Sequence, residues 1–250
     1  MTTMWIKRAL ITIGMLAVAA TAQAQTVLKV GSTPTGVPFT FLDAKTNTIQ
    51  GMMVDVIEEI GKDGGFKVEI QPMPFSTLIA ALTSGKIDII SAAMTGSPER
   101  AKVVDFSKNV YSYGEGLVVP AADGVGYAAV ADLKGKKVGG QIGTRYLEFL
   151  KAQSGAAQVN AYDSLADILR DVSNGRLEAG VGDYPILAYN LAQGNFPQVR
   201  LVKSYKPGMI GPINIAVKQG NKELLAKIDK SLETMQKDGR LDAILKKWGL

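Results

Sequence analysis

The sequence contains no cysteine and no histidine. The first absence excludes disulfides, thiolate nucleophiles and zinc sites built on cysteine. The second removes the commonest general base and the commonest metal ligand. Serine–histidine and cysteine–histidine catalysis cannot operate here, and no metal or cofactor is expected. Aromatic residues make up only 7% of the chain and are not interleaved with basic runs. With scattered lysines and a formal charge of +5, this argues against nucleic acid as a partner. After Ala20 no apolar run is long enough to span a bilayer.

What is present is an ordinary soluble composition: 250 residues, 46% hydrophobic and 20% charged. That length allows one large domain or two small ones. The first residues carry Lys7 and Arg8 and no acid. An apolar run from Ala9 to Ala20 follows, then TAQAQ with small residues at Ala22 and Ala24. This is the tripartite pattern of a secretory signal, and the run is short for a crossing that needs about 20 residues. Residues 1–24 are expected to be removed, so the mature chain begins at Gln25. Losing Lys7 and Arg8 lowers the formal charge to +3.

The mature part reads as two successive α/β series. Val27 to Ser32 alternates as a strand, and a Pro/Gly-rich loop follows. Val54, Ile57 and Ile60 mark a helix from Gly51 to Gly61, stopped by KDGG. Phe66 to Ile70 is a second strand. Ser76 is expected to cap a helix through Thr83, and Ile87 to Ile90 is a buried strand. The second series runs through a strand at Lys137–Gly139, a helix at Tyr146–Ala152 and a strand at Val159–Tyr162. A helix capped by Ser164, a strand at Leu177–Val181 and a helix at Pro185–Gln193 complete it. β-α-β alternation implies mostly parallel sheets flanked by helices. Two series suggest two lobes rather than one continuous sheet. The β-favouring stretches Tyr111–Pro120 and Lys206–Val217 are candidates for the segments that cross between them. The amphipathic helix Asn221–Asp238 and the piece Arg240–Trp248 are expected to pack back on the first lobe.

Three short stretches carry chemistry. Ser97-Pro98-Glu99 has the signature of a helix start just beyond a strand end, and Arg100 follows it. Ligands of α/β sheets bind beyond the carboxyl ends of strands. A guanidinium there fits a carboxylate clamp; it equally fits a surface charge paired with Glu99 or Asp105. GQIGTR, Gly140 to Arg145, repeats the strand–turn–helix arrangement. Its backbone N–H groups and the Thr144 hydroxyl suit an anion, or form a plain turn. In VGDYP, Asp183 either caps the following helix or faces a cleft and receives an ammonium.

The run Pro72 to Ser107, with its ERAKVVDFS box, resembles the bacterial family 3 extracellular solute-binding proteins. So do LKGKKVGGQIGT, the run ending in GDYP, and the final LDAILKKWG. The similarity spans the mature chain in order. The family consists of periplasmic polar amino-acid-binding components of ABC importers. The resemblance implies a type II two-lobe clamshell, each lobe a mostly parallel sheet flanked by helices. Lobe 1 would comprise 25–110 and 212–250 and lobe 2 would comprise 111–211, with crossovers near 110–116 and 206–212. It also implies that Arg100 grips the α-carboxylate of an amino-acid-like ligand, assisted by Thr95, the backbone around Ala93, and Thr144. Asp183 would bind the α-ammonium. Phe75 would line the side-chain pocket, or simply pack in the core. The implied partner is an ABC transporter membrane permease in the periplasmic setting, with the protein a monomer.

The chain departs from the family pattern in one loop. Gly36 stands where an aromatic often stacks over the ligand, and Thr33 where an acid is frequent. One wall of the pocket is therefore missing or supplied from elsewhere, and a lysine- or arginine-type ligand is disfavoured. Arg145 stands where small residues are common. It points to solvent or, turned into the cleft, favours a ligand with a second carboxylate. Two other readings share the scaffold. One is a secreted cyclohexadienyl dehydratase-like enzyme, for which Glu115 and Glu148 are ambiguous acid candidates. The other is a ligand-sensing module that addresses a receptor.

Overall fold

In the first α/β series, apolar residues recur at the spacing each element needs. The computed structural model describes residues 25–250. The expected signal at 1–24 lies outside the described residues. β1 (Val27–Ser32) is followed by a small antiparallel sheet of β2 (Thr35–Gly36), β3 (Thr40–Asp43) and β4 (Thr48–Gln50). α1 (Met52–Gly64) buries Met53, Val56, Ile57 and Ile60, and Gly65 ends it in the left-handed region. β5 (Lys67–Pro72), α2 (Leu78–Thr83) and β6 (Ile89–Thr95) complete the series.

Two local expectations are corrected here. Ser76 does not cap α2. It lies inside a 3-10 turn, Phe75–Thr77, where the Thr77 N–H and hydroxyl both donate to the Pro74 carbonyl. The start of a helix at Ser97 also stops after one turn. Ser97 does accept the Arg100 N–H at 3.2 Å, as capping logic requires. Only a 3-10 turn at Arg100–Lys102 forms, because the β-branched residues behind it enter β7 (Val104–Phe106), which pairs with β13 (Ile210–Lys218).

β8 (Tyr111–Pro120) then leads into the second series. This comprises β9 (Lys137–Gln141), α3 (Arg145–Gln153), β10 (Gln158–Tyr162), α4 (Leu165–Ser173), β11 (Ala179–Asp183), α5 (Tyr184–Ala192) and β12 (Val199–Leu201). After β13, α6 (Lys222–Asp238) and α7 (Arg240–Lys247) lie against α1. Arg240 joins them by ion pairs to Glu59 and Asp63, and the Trp248 indole N–H donates to Asp55 at 2.7 Å.

The strands run β10-β9-β11-β8-β13-β6-β1-β5. β1 is parallel to β5 and β6, and β9 is parallel to β10 and β11. Each parallel set forms the sheet of one lobe of a clamshell. The expected break between two separate sheets is absent, because the two crossover strands pair with each other. Tyr111–Gly114 of β8 lie antiparallel to Ile210–Ile213 of β13, so hydrogen bonding continues from one lobe to the other.

Glu115 braces this ribbon. It is wholly buried, and among the described residues no cation pairs with it. One carboxylate oxygen accepts from the Tyr205 hydroxyl at 2.8 Å and the Gly208 N–H at 2.6 Å. The other accepts from the Met209 N–H at 3.0 Å. A carboxylate on the outgoing crossover thereby holds the backbone of the returning one.

Candidate functional site

The carboxyl ends of β6, β9 and β11 meet where the two lobes face each other, as open α/β sheets require of a ligand site. All seven residues singled out in the sequence line one cavity there: Phe75, Ala93, Thr95, Arg100, Thr144, Arg145 and Asp183. Its free volume is about 30 Å³, room for roughly two waters. The lobes therefore stand closed on one another, and a solute of amino-acid size enters only if they part.

β6 carries the first wall. It bulges opposite β13 between Asn214 and Ala216, and Ala93 takes φ 52° in that bulge. A non-glycine residue in the left-handed region is strained by about 1–2 kcal/mol, and here the strain turns the Ala92–Thr95 backbone toward the cavity. Arg100 stands on the turn beyond. Its Nη1 donates to the Thr95 carbonyl at 2.6 Å and lies 3.5 Å from the Thr95 hydroxyl. Its Nη2 reaches the Gly143 carbonyl of the other lobe at 2.7 Å. Phe75 lies under the guanidinium, 5.7 Å from ring centroid to Cζ. Phe75 lines the cavity and also packs on the smaller core cluster. Arg100 pairs with neither Glu99 nor Asp105; Asp105 is taken by Lys222. Burial, and secondarily the charge of Arg145, pushes the Arg100 guanidinium down to about 10.

α3 carries the second wall. Thr144 is its N-cap: the hydroxyl accepts from the Leu147 N–H at 3.2 Å and donates to the Gln141 carbonyl at 2.7 Å. Its one O–H is committed, so the side chain caps α3 and has no hydroxyl donor left over. Arg145 crosses back to lobe 1 and donates to the Gly96 carbonyl at 3.0 Å. Arg100 and Arg145 thus make reciprocal contacts, each holding a backbone carbonyl of the opposite lobe. Gly143 permits that approach. It has φ 79°, and a Cβ there would lie 2.9 Å from Ser76 Cα.

Asp183 sits at the N-cap position of α5, yet its side chain makes no cap hydrogen bond. It accepts instead from the Tyr113 hydroxyl of β8 at 2.6 Å. Burial raises its pKa, against the lowering effects of the Tyr113 hydrogen bond and the Arg100 charge. Burial, reinforced by Asp183, holds the Tyr113 phenol far above its usual range. Tyr113 in turn stacks on Phe39, ring centroids 5.2 Å apart.

Sequence reasoning missed Tyr113, Gln141, Tyr146, Leu165 and Ile186. The last four line the cavity and stand at or just past the ends of β9, β10 and β11. The rule that pointed to Arg100 and Asp183 would have found them had it been applied to every strand end. Ile186 also answers the question left at Gly36. A Cβ at Gly36 would lie 3.5 Å from Ile186 Cδ1 and 3.4 Å from the Thr33 hydroxyl, so an aliphatic side chain from lobe 2 closes the wall where an aromatic was expected. Thr33, in the position of the missing acid, is paired with Thr40 at 2.7 Å. Glu115 and Glu148 do not line the cavity; Glu148 is exposed and bonds Lys151 at 2.9 Å.

The profile of the bacterial extracellular solute-binding proteins, family 3, matches residues 28–250. The chain is 29% identical over 223 residues to the L-cystine-binding protein TcyA of Bacillus subtilis, covering 89% of this chain and 81% of that protein. It is 32% identical to a putative ABC transporter arginine-binding protein 2 of Escherichia coli, covering 84% of this chain and 86% of the relative. Among solved structures it resembles an ancestral arginine-binding protein bound to arginine, with TM-score 0.83, 37% identity, and coverage of 90% and 98% of the two chains. It also resembles an ancestral amino-acid-binding protein described as a precursor of cyclohexadienyl dehydratase, with TM-score 0.80, 32% identity, and coverage of 89% and 95%.

Proposed function

Because this chain belongs to the bacterial extracellular solute-binding proteins, family 3, we propose that it captures an amino acid or amino-acid-like solute between its lobes. It then delivers that solute to the membrane permease of an ABC importer. The observation that carries this reading is a half-buried guanidinium and a half-buried carboxylate, contributed by different lobes to one cavity. Arg100 receives the ligand's α-carboxylate in a planar fork, with Thr95 and the Ala93 backbone beside it and the α3 N-terminus, set by Thr144, facing it. Asp183, oriented by Tyr113, receives the α-ammonium. Phe75 and Ile186 flank the side chain.

Ligand binding and closure are one event here. A solute held at one end by lobe 1 and at the other by lobe 2 binds the closed form better, and so draws the equilibrium toward it. The closed form is what the permease reads. Lobe 1 comprises 25–110 and 212–250, lobe 2 comprises 111–211, and the chain leaves the cytoplasm through the signal at 1–24. It works as a carrier rather than as an enzyme. Asp183 is the one carboxylate lining the cavity among the described residues, and its tie to Tyr113 suits it to hold a cation. Neither Glu115 nor Glu148 is placed to move a proton on a bound solute.

The test is a thermal-shift screen of the refolded mature chain against the common amino acids, dicarboxylates and prephenate. A ligand at 100 times its Kd adds about 2.7 kcal/mol, and Arg100→Ala and Asp183→Ala should each abolish the response. Unchanged affinity in either variant overturns its assigned role. Turnover of prephenate would replace the carrier with an enzyme.

A further inference from the structure

The charges facing the cavity do not balance. Arg100 and Arg145 each bring a positive charge, and Asp183 brings a negative one; the remaining lining residues are uncharged or phenolic. Arg170, Arg176 and Arg240 each pair with a carboxylate; Arg100, Arg145 and Arg200 have none within 4.0 Å among the described residues, and of these three Arg100 and Arg145 line the cavity. The hydrogen bonds of these two go to the carbonyls and hydroxyl of Thr95, Gly143 and Gly96. Arg145 makes a single such bond, which leaves most of its N–H donors free. Guanidinium groups withdrawn from water without an anion are costly, and an incoming anion recovers that cost.

Given the proposed binding of an α-amino acid group, its carboxylate meets Arg100 and its ammonium meets Asp183. Arg145 remains without an anion inside the cavity; outside it, its charge is among the minor effects that hold the Glu99 carboxyl down. A second groove adjoins the cavity past this residue. It has a free volume of about 220 Å³ and shares Thr95, Arg145 and Tyr146 with the cavity. A ligand side chain leaving the cavity by that groove would pass Arg145, which lines both. We propose that Arg145 is a specificity determinant that selects an amino acid carrying a second anionic group on its side chain. This inference rests on the amino-acid-binding reading above and goes beyond it by naming the charge class of the ligand.

The experiment is titration calorimetry of the refolded mature chain, its Arg145→Gln and Arg145→Lys variants, and Arg100→Ala. The probes are L-glutamate with L-glutamine, L-aspartate with L-asparagine, and O-phospho-L-serine with L-serine. The wild type should prefer the anionic member of at least one pair by about tenfold or more, the scale of one charge-assisted hydrogen bond. Preference in the carboxylate pairs identifies a dicarboxylic amino acid; preference only for phosphoserine identifies a phosphorylated one. In Arg145→Gln the ratio should fall to within about threefold. Arg145→Lys keeps the charge without the planar fork and should lie between. It also supplies the test if Arg145→Gln melts too low to assay.

Equal or tighter wild-type binding of the uncharged members overturns the inference. So does a preference that survives Arg145→Gln. If such binding is lost in Arg100→Ala, the amino-acid reading stands while the inference falls. Binding of no member of the panel counts against both.

Discussion

Removal of the Glu115 carboxylate should loosen the hinge without touching the ligand cavity. In Glu115→Ala, the Tyr205 hydroxyl and the Gly208 and Met209 N–H groups lose their shared acceptor. Hydrogen bonds to a charged group contribute about 1.5–3 kcal/mol each. Against this stands the cost of burying a carboxylate, several kcal/mol, which the variant no longer bears. The net loss should be about 2–4 kcal/mol. For a chain of this length each kcal/mol moves Tm by about 2–4 °C, so the midpoint should fall by roughly 4–16 °C. Glu115→Gln should fall in between. Its amide oxygen still accepts from Tyr205 and Gly208, but its NH2 group faces the Met209 N–H. Calorimetric melting of the three proteins, followed by ligand titration, checks both effects: a lower midpoint, and weaker affinity because closure begins from a less ordered hinge. Midpoints within about 1 °C of the wild type in both variants would refute the claim that this carboxylate holds the two crossovers together.

Two further predictions concern closure and charge. Gly143→Ala places a methyl group 2.9 Å from Ser76 Cα at a position with φ 79°. It should cost about 1 kcal/mol in stability and weaken ligand binding by about tenfold or more, because the lobes cannot meet; unaltered affinity would show that they need not approach this closely. Asp183→Asn should melt higher than the wild type near pH 7 without added ligand, while failing to bind. The folded-state pKa of Asp183 lies above its ordinary value of 3.8 because of burial. The native state therefore holds the proton longer than the unfolded chain, and this group's contribution to stability falls as pH rises from the unfolded pKa through the folded one. The stability of the wild type relative to the variant should decline with rising pH across that window. A rising difference would mean that Tyr113 and Arg100 outweigh desolvation.

The architecture was legible because its signals are local. Helical spacing in α1 and α6, glycine stops and strand alternation all act over a few residues, and the elements appear close to where those signals put them. The hairpin of β2 and β3 was less visible, since two-residue strands carry little periodicity. The helix expected after Ser97 failed because β13, more than a hundred residues away, recruits Val104–Phe106 as a strand. The same distance explains Asp183. Locally it has every mark of a cap, and only its approach to Tyr113, 70 residues away, turns it toward the cavity. Gly36 advertised a missing wall, but nothing near it in sequence could announce Ile186. The six residues carried over by resemblance, and Arg145, which departs from the family pattern, share one cavity because the boxes that hold them lie at strand ends.

The paired crossovers have a practical consequence. Two antiparallel strands braced at Glu115 should bend more readily than they shear, so opening of the lobes is expected to follow nearly one angle. Ile142, next to Gly143 in the chain, is 41% exposed. With no cysteine anywhere in the chain, a thiol placed there would be unique. A single environment-sensitive dye on it would report the angle directly, making the protein a one-coordinate optical gauge of solute concentration.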